Sequence, residues 1–70
     1  MKEITSNMAG NVWKILVGVG DEIEAEQEVV ILESMKMEIP IEAEDSGKIV
    51  EIKVKEGDFV NEGDVLMTYE

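Results

Sequence analysis

The chain repeats itself. Residues 10–23 align without a gap on residues 47–60, an offset of 37 residues that carries Gly10 onto Gly47. Ile15 then falls on Ile52, Val17 on Val54, and the pair Gly20-Asp21 on Gly57-Asp58. The match runs on through Val29 with Leu66, Leu32 with Tyr69 and Glu33 with Glu70. Two copies are too few for a solenoid, whose repeats bury their faces only against stacked neighbours. In a chain of 70 residues the repeat predicts one domain, residues 1–70, with two-fold pseudosymmetry.

Each copy reads as strands. Val50-Glu51-Ile52-Lys53-Val54 alternates apolar and polar residues, the period of a half-buried strand, and Trp13, Ile15 and Val17 occupy matching positions. Gly20-Asp21, Gly57-Asp58 and Gly63-Asp64 punctuate the runs as turns. Val29-Val30-Ile31-Leu32 is continuous apolar, as in a buried or bulged strand. No segment has helical periodicity with a capping residue. The spacing predicts strands over 2–5, 12–17, 22–24, 28–33, 37–42, 47–54, 59–61 and 65–69, an all-β sandwich or barrel. Two small antiparallel sheets, each built from both halves, satisfy the symmetry. The predicted core is Val12, Ile15, Val17, Ile23, Val29, Leu32, Ile39, Ile41, Ile49, Ile52, Val54, Val60, Leu66 and Tyr69. The junction of the halves, residues 34–37, should lie at one end and the termini near the other.

Composition limits function. The net charge is −11, with 17 acidic residues against six lysines. Nucleic acid needs a basic surface, and an anionic membrane repels an acidic one, so neither is an expected partner. There is no cysteine or histidine, which removes the thiol ligand, the disulfide and the usual general base. A chain this short and this poor in catalytic groups is not expected to be an enzyme or to bind a metal. No apolar run is long enough to span a membrane. Met1-Lys2-Glu3-Ile4-Thr5 lacks the apolar centre of a signal peptide, and with the missing cysteines this gives a cytoplasmic expectation. Met1 and the short leader before the repeat lead us to expect a stand-alone chain, monomeric by itself.

One lysine stands apart. Lys2, Lys14, Lys48, Lys53 and Lys55 lie near the terminus or on or next to predicted strands, where a cation on the wet face is ordinary. Lys36 lies at the junction of the halves, in Glu33-Ser34-Met35-Lys36-Met37-Glu38-Ile39-Pro40, with a methionine on each side. A hairpin tip on a rigid scaffold exposes an amine and also fixes it. The adaptable methionine thioether suits a surface that meets several partners. Glu33 and Glu38 flank the turn at a spacing that can pair them across strands. Such carboxylate pairs do acid–base work in glycosidases, but here they read as solvated strand residues. Asp45, Asp58 and Asp64 do not form a twelve-residue calcium loop.

Met35-Lys36-Met37 resembles the attachment motif of the biotinyl/lipoyl carrier family, whose biotinyl members carry Ala/Ser-Met-Lys-Met at a hairpin. The resemblance runs from about Asn7 to the C-terminus and is nearest to the small bacterial biotin/lipoyl attachment proteins. It implies a flattened barrel-sandwich hybrid with covalent attachment at Lys36, and ligase and partner recognition at Met35 and Met37. It further implies a biotin carboxyl carrier, not itself an enzyme. The expected partners are a biotin protein ligase and the biotin carboxylase and carboxyltransferase components. The alternative cofactor is lipoate, for a 2-oxo acid dehydrogenase or the glycine cleavage system; lipoyl domains carry Asp-Lys-Ala where this chain has methionines. A third reading is an unmodified interaction module on the same fold. Asn7-Met8-Ala9-Gly10 is similar to the family's Pro-Met-Xaa-Gly and departs from it at Asn7. The stretch from Val17 to Gly20 is too tight for the thumb insertion of some carriers. Glu26 stands where the second half has Gly63, so a positive φ there would strain it.

Overall fold

The computed structural model describes residues 1–70 as eight strands and no helix. The strands are β1 (Lys2–Thr5), β2 (Gly10–Ile15), β3 (Glu22–Ile23), β4 (Glu28–Ser34), β5 (Met37–Glu42), β6 (Gly47–Ile52), β7 (Phe59–Val60) and β8 (Val65–Tyr69). They form two four-stranded sheets, ordered β1-β8-β6-β3 and β5-β4-β2-β7, with every pairing antiparallel. A shift of 37 residues turns one order into the other. Each sheet draws two strands from each half, as the repeat predicts. The β4–β5 turn and the chain ends occupy symmetry-related edges of different sheets.

The Gly-Asp turns tie the halves together. The Gly20 N–H donates to the Ile49 carbonyl at 2.8 Å, and the Ile49 N–H donates to the Asp21 carbonyl at 2.9 Å. Their symmetry mates are Gly57 N–H to the Val12 carbonyl and Val12 N–H to the Asp58 carbonyl, both at 2.7 Å. Gly20 and Gly57 have φ of 92° and 98°, a region open to glycine and strained for other residues. Each aspartate closes its own loop: the Asp21 carboxylate accepts from the Gly18 N–H at 2.7 Å, and that of Asp58 from the Lys55 N–H at 2.9 Å. These bonds explain why Gly-Asp recurs in register.

The core follows the same symmetry. Ile4 and Ile41, Val12 and Ile49, Ile23 and Val60, Val29 and Leu66, Val30 and Met67, and Leu32 and Tyr69 are buried pairs related by the shift. Nine of the fourteen expected core positions are buried. Ile15, Val17, Ile39, Ile52 and Val54 are only half-buried, and four of them, all but Ile39, pack against the rim of the core. Leu16 and Lys53 each donate one last bond, to the Val29 and Leu66 carbonyls at 2.9 Å, and the chain then leaves the sheet. The predicted strands over 12–17 and 47–54 therefore stop at Ile15 and Ile52, and β2 begins earlier, at Gly10. Ile4, Val30, Ala43 and Met67 are buried although they were not among the expected core. For Val30 and Met67 the cause is a register shift in β4 against β5 and in β8 against β1, so that neighbouring residues both turn inward.

Candidate functional site

Strands β4 and β5 meet in a two-residue turn. Leu32 pairs with Ile39, Glu33 with Glu38 and Ser34 with Met37, which leaves Met35 and Lys36 at the tip. Their φ angles are 51° and 64°. Two central residues at positive φ define a type I′ turn, whose twist matches that of the flanking strands and which favours Asn-Gly. Neither Met nor Lys suits the left-handed region, at a cost of about 1–2 kcal/mol each. The long β4–β5 ladder imposes that geometry. Backbone strain held in place by its surroundings is concentrated at functional sites.

The turn presents its side chains to solvent. Met35 is 92% exposed and Met37 63%, and Lys36 is exposed between them. The chain's two ion pairs, Lys2 with Asp45 at 3.1 Å and Lys53 with Glu51 at 3.3 Å, leave the Lys36 ammonium out. So do the two cation–π contacts, Lys2 over Tyr69 and Lys14 over Trp13. Lys36 thus combines an accessible amine, a backbone fixed on both sides and two exposed thioethers. Beneath the turn, β2 approaches β4 closely. A Cβ on Gly10 would stand 3.0 Å from the Glu33 carbonyl oxygen and 3.5 Å from the Ser34 Cβ. The sequence marks Gly10 through the repeat and the Asn7-Met8-Ala9-Gly10 resemblance, neither of which specifies this close approach. Its recurrence as Gly47, which lies against Glu70 in the same way, is the signal for this role.

Glu33 and Glu38 face each other directly across the hairpin. Like charges in that position destabilise a sheet. They lie on an open strand surface, because the chain's concavity is elsewhere, along β3 and β6, lined by Glu22, Glu24, Gln27, Ser46, Lys48 and Glu70 among others. No group of three or more His, Cys, Asp or Glu side chains is placed to hold a metal ion. Glu26 has a φ of 69° and Gly63 one of 91°, the shared positive φ expected from the alignment of these positions.

Comparison with known proteins agrees with this geometry. The sequence matches the family described as "Biotin-requiring enzyme" over residues 2–69. It is 66% identical over 64 residues to the Biotin/lipoyl attachment protein of Bacillus subtilis (strain 168), covering 91% of this chain and 88% of that protein. It is 54% identical over 57 residues to the Biotin carboxyl carrier protein of acetyl-CoA carboxylase of Pyropia yezoensis, covering 81% of this chain and 36% of that one. The crystal structure of Kluyveromyces lactis urea carboxylase superposes with a TM-score of 0.91 at 38% identity, over 99% of this chain and 6% of the carboxylase. The chain therefore spans most of the Bacillus protein, about a third of the algal carrier and a small part of the carboxylase. With its repeat, its two interlocked sheets and its lysine-bearing turn, this chain belongs to the biotin/lipoyl attachment family.

Proposed function

We propose that this chain is a biotin carboxyl carrier, with biotin joined to the Nζ of Lys36 through an amide. The observation that carries the proposal is the turn: an exposed lysine at the second central position of a strained two-residue hairpin, between two exposed methionines. The names of the relatives support biotin over lipoate. One names both cofactors, and the algal protein is named as a biotin carboxyl carrier. The residues present fit the group. Acylation needs an amine that a ligase can enclose, and neither partner nor pocket encloses Lys36. When bound, biotin supplies a ring nitrogen that takes up and gives up a carboxyl group. The protein holds the attachment point rigid, keeps the arm's base clear of the sheet and presents Met35 and Met37 to partners. Amide formation removes the lysine charge, so the arm is a neutral tether on an acidic domain.

The partners in this reading are a biotin protein ligase, which must choose Lys36 among six lysines, and biotin carboxylase and carboxyltransferase components. The test is the intact mass of the protein purified from its own host, with fragmentation to locate the added group, alongside a Lys36→Arg variant. Biotin on Lys36 in the wild type and none on the variant are expected. Biotin persisting on Lys36→Arg, or a lipoyl mass on Lys36 with no biotinylated fraction, would overturn the proposal.

A further inference from the structure

The pseudosymmetry supplies an internal comparison between the outer faces of the two sheets. On the hairpin-bearing sheet, Phe59 pairs with Asn11, Asn11 with Glu33 and Glu33 with Glu38, a cross-strand row directly below the turn. The neighbours Gly10, Val12 and Val60 are buried, so this row faces outward. Phe59 is 62% exposed, Trp13 40% and Leu16 45%. Ile31 and Pro40 pair with each other on the same face, in register with Lys14. The 37-residue shift carries Phe59 onto Glu22, Leu16 onto Lys53, Ile31 onto Thr68, Pro40 onto Glu3 and Trp13 onto Val50. The same backbone thus bears polar residues at four of these five positions on the other sheet. Folding does not require them to be apolar on the hairpin sheet. Scattered surface apolar residues are ordinary; here one sheet carries five at positions where its symmetry mate carries one, Val50.

The charges say what covers this face. Glu33 and Glu38 take part in neither ion pair, and Lys14 holds its ammonium 5.3 Å from the Trp13 ring centroid. Two carboxylates against the one ammonium of Lys14 leave this face net acidic, on a chain of net charge −11. An apolar centre on a net acidic face fits a protein surface with an apolar centre and lysine or arginine at its edge. The two methionines of the turn are small against the roughly 800 Å² per partner of a specific interface, so an enzyme that selects Lys36 needs further contact area, and this face adjoins the turn. We infer that the outer face of the hairpin-bearing sheet, centred on Trp13, Leu16 and Phe59, is a docking surface for the ligase that acylates Lys36. This rests on the biotin-carrier reading above.

The test transplants the residues of the other sheet. A Phe59→Glu/Leu16→Lys double variant installs what Glu22 and Lys53 already are, and the two changes cancel in net charge. Steady-state biotinylation is measured with a purified bacterial biotin protein ligase, biotin and MgATP against carrier concentration, after thermal melts and sedimentation of both carriers. With the fold intact, the KM for the carrier should rise about tenfold or more with kcat nearly unchanged, the loss of about 1.4 kcal/mol of docking energy. The matched exchange on the other sheet, Glu22→Lys/Lys53→Glu, should leave KM within twofold. An unchanged KM in the first variant would overturn the inference, as would an equal rise in both. A wild-type dimer that the first variant dissolves would assign the face to a second copy instead. An unchanged KM with slower carboxylation by a biotin carboxylase would assign it to that enzyme. A wild type that the ligase does not modify at all would count against the carrier reading itself, a separate result.

Discussion

Glu26→Gly should stabilise this domain. Glu26 sits at φ 69° in a turn whose symmetry mate is Gly63 at φ 91°. The backbone makes the same bond in both: the Glu26 N–H donates to the Ala43 carbonyl at 2.7 Å, and the Gly63 N–H to the Ser6 carbonyl at 2.8 Å. The Glu26 side chain is exposed and in neither ion pair, so deleting it loses little packing. Holding an L-residue in the left-handed region costs about 1–2 kcal/mol. Glycine gives back about 0.5–1 kcal/mol through its freer unfolded chain. The difference is a gain of about 0.5–1 kcal/mol. For a domain of this size it corresponds to a rise of about 2–8 °C in Tm. Thermal melts by circular dichroism, paired with urea midpoints, read it directly. Removing a carboxylate from an acidic chain also relieves repulsion, so Glu26→Ala is the control: it removes the charge and keeps the Cβ. An unchanged or lower Tm for Glu26→Gly, or an equal gain for Glu26→Ala, would refute the strain argument.

The turn itself should respond in opposite ways in stability and function. Met35→Asn/Lys36→Gly supplies the residues a type I′ turn prefers and should add about 1 kcal/mol, while streptavidin detects no biotin on the product; a lower urea midpoint would count against the turn assignment. The paired glycines should differ in tolerance. A Cβ on Gly47 would lie 2.5 Å from the Glu70 carbonyl oxygen and 2.7 Å from the Tyr69 Cδ2, against 3.0 Å from the Glu33 carbonyl oxygen for Gly10. Gly47→Ala should therefore cost about 1–3 kcal/mol, and Gly10→Ala less, as urea midpoints would show; the reverse order would contradict the packing account.

The parts of the fold that were legible in the sequence are those the repeat writes twice. The Gly-Asp turns recur because each closes a loop and bonds to the other half, so their register exposes the topology. The bulges were less legible. Val29-Val30-Ile31-Leu32 reads as a buried or bulged strand, but its residue types do not place the bulge, and Leu66-Met67 looks like an ordinary apolar pair. Ile4 and Ala43 could have been found by carrying the alignment back toward the N-terminus, where Ile4 falls on Ile41 and Ser6 on Ala43. The position of Lys36 was legible, because it is centred between the copies and flanked by methionines. Its backbone geometry was not. A type I′ turn announces itself through Asn and Gly, and here Met35 and Lys36 take that conformation under the constraint of the strands on either side. The exposed apolar face was also hidden, since Trp13 and Leu16 lie among residues that alternate like any half-buried strand.

The exchange of strands between halves bears on when the chain becomes a substrate during synthesis. The sheet that carries Lys36 ends on β7, and its inner face is closed by Leu66, Met67 and Tyr69 of β8. A nascent chain that has emerged only as far as the lysine has the turn residues but neither of those strands. The left-handed pair Met35-Lys36 is unfavourable in isolation, and the β4–β5 ladder that imposes it rests on a core completed by β8. Under the proposed carrier function, a ligase that requires the folded turn would mark those chains whose second half has docked.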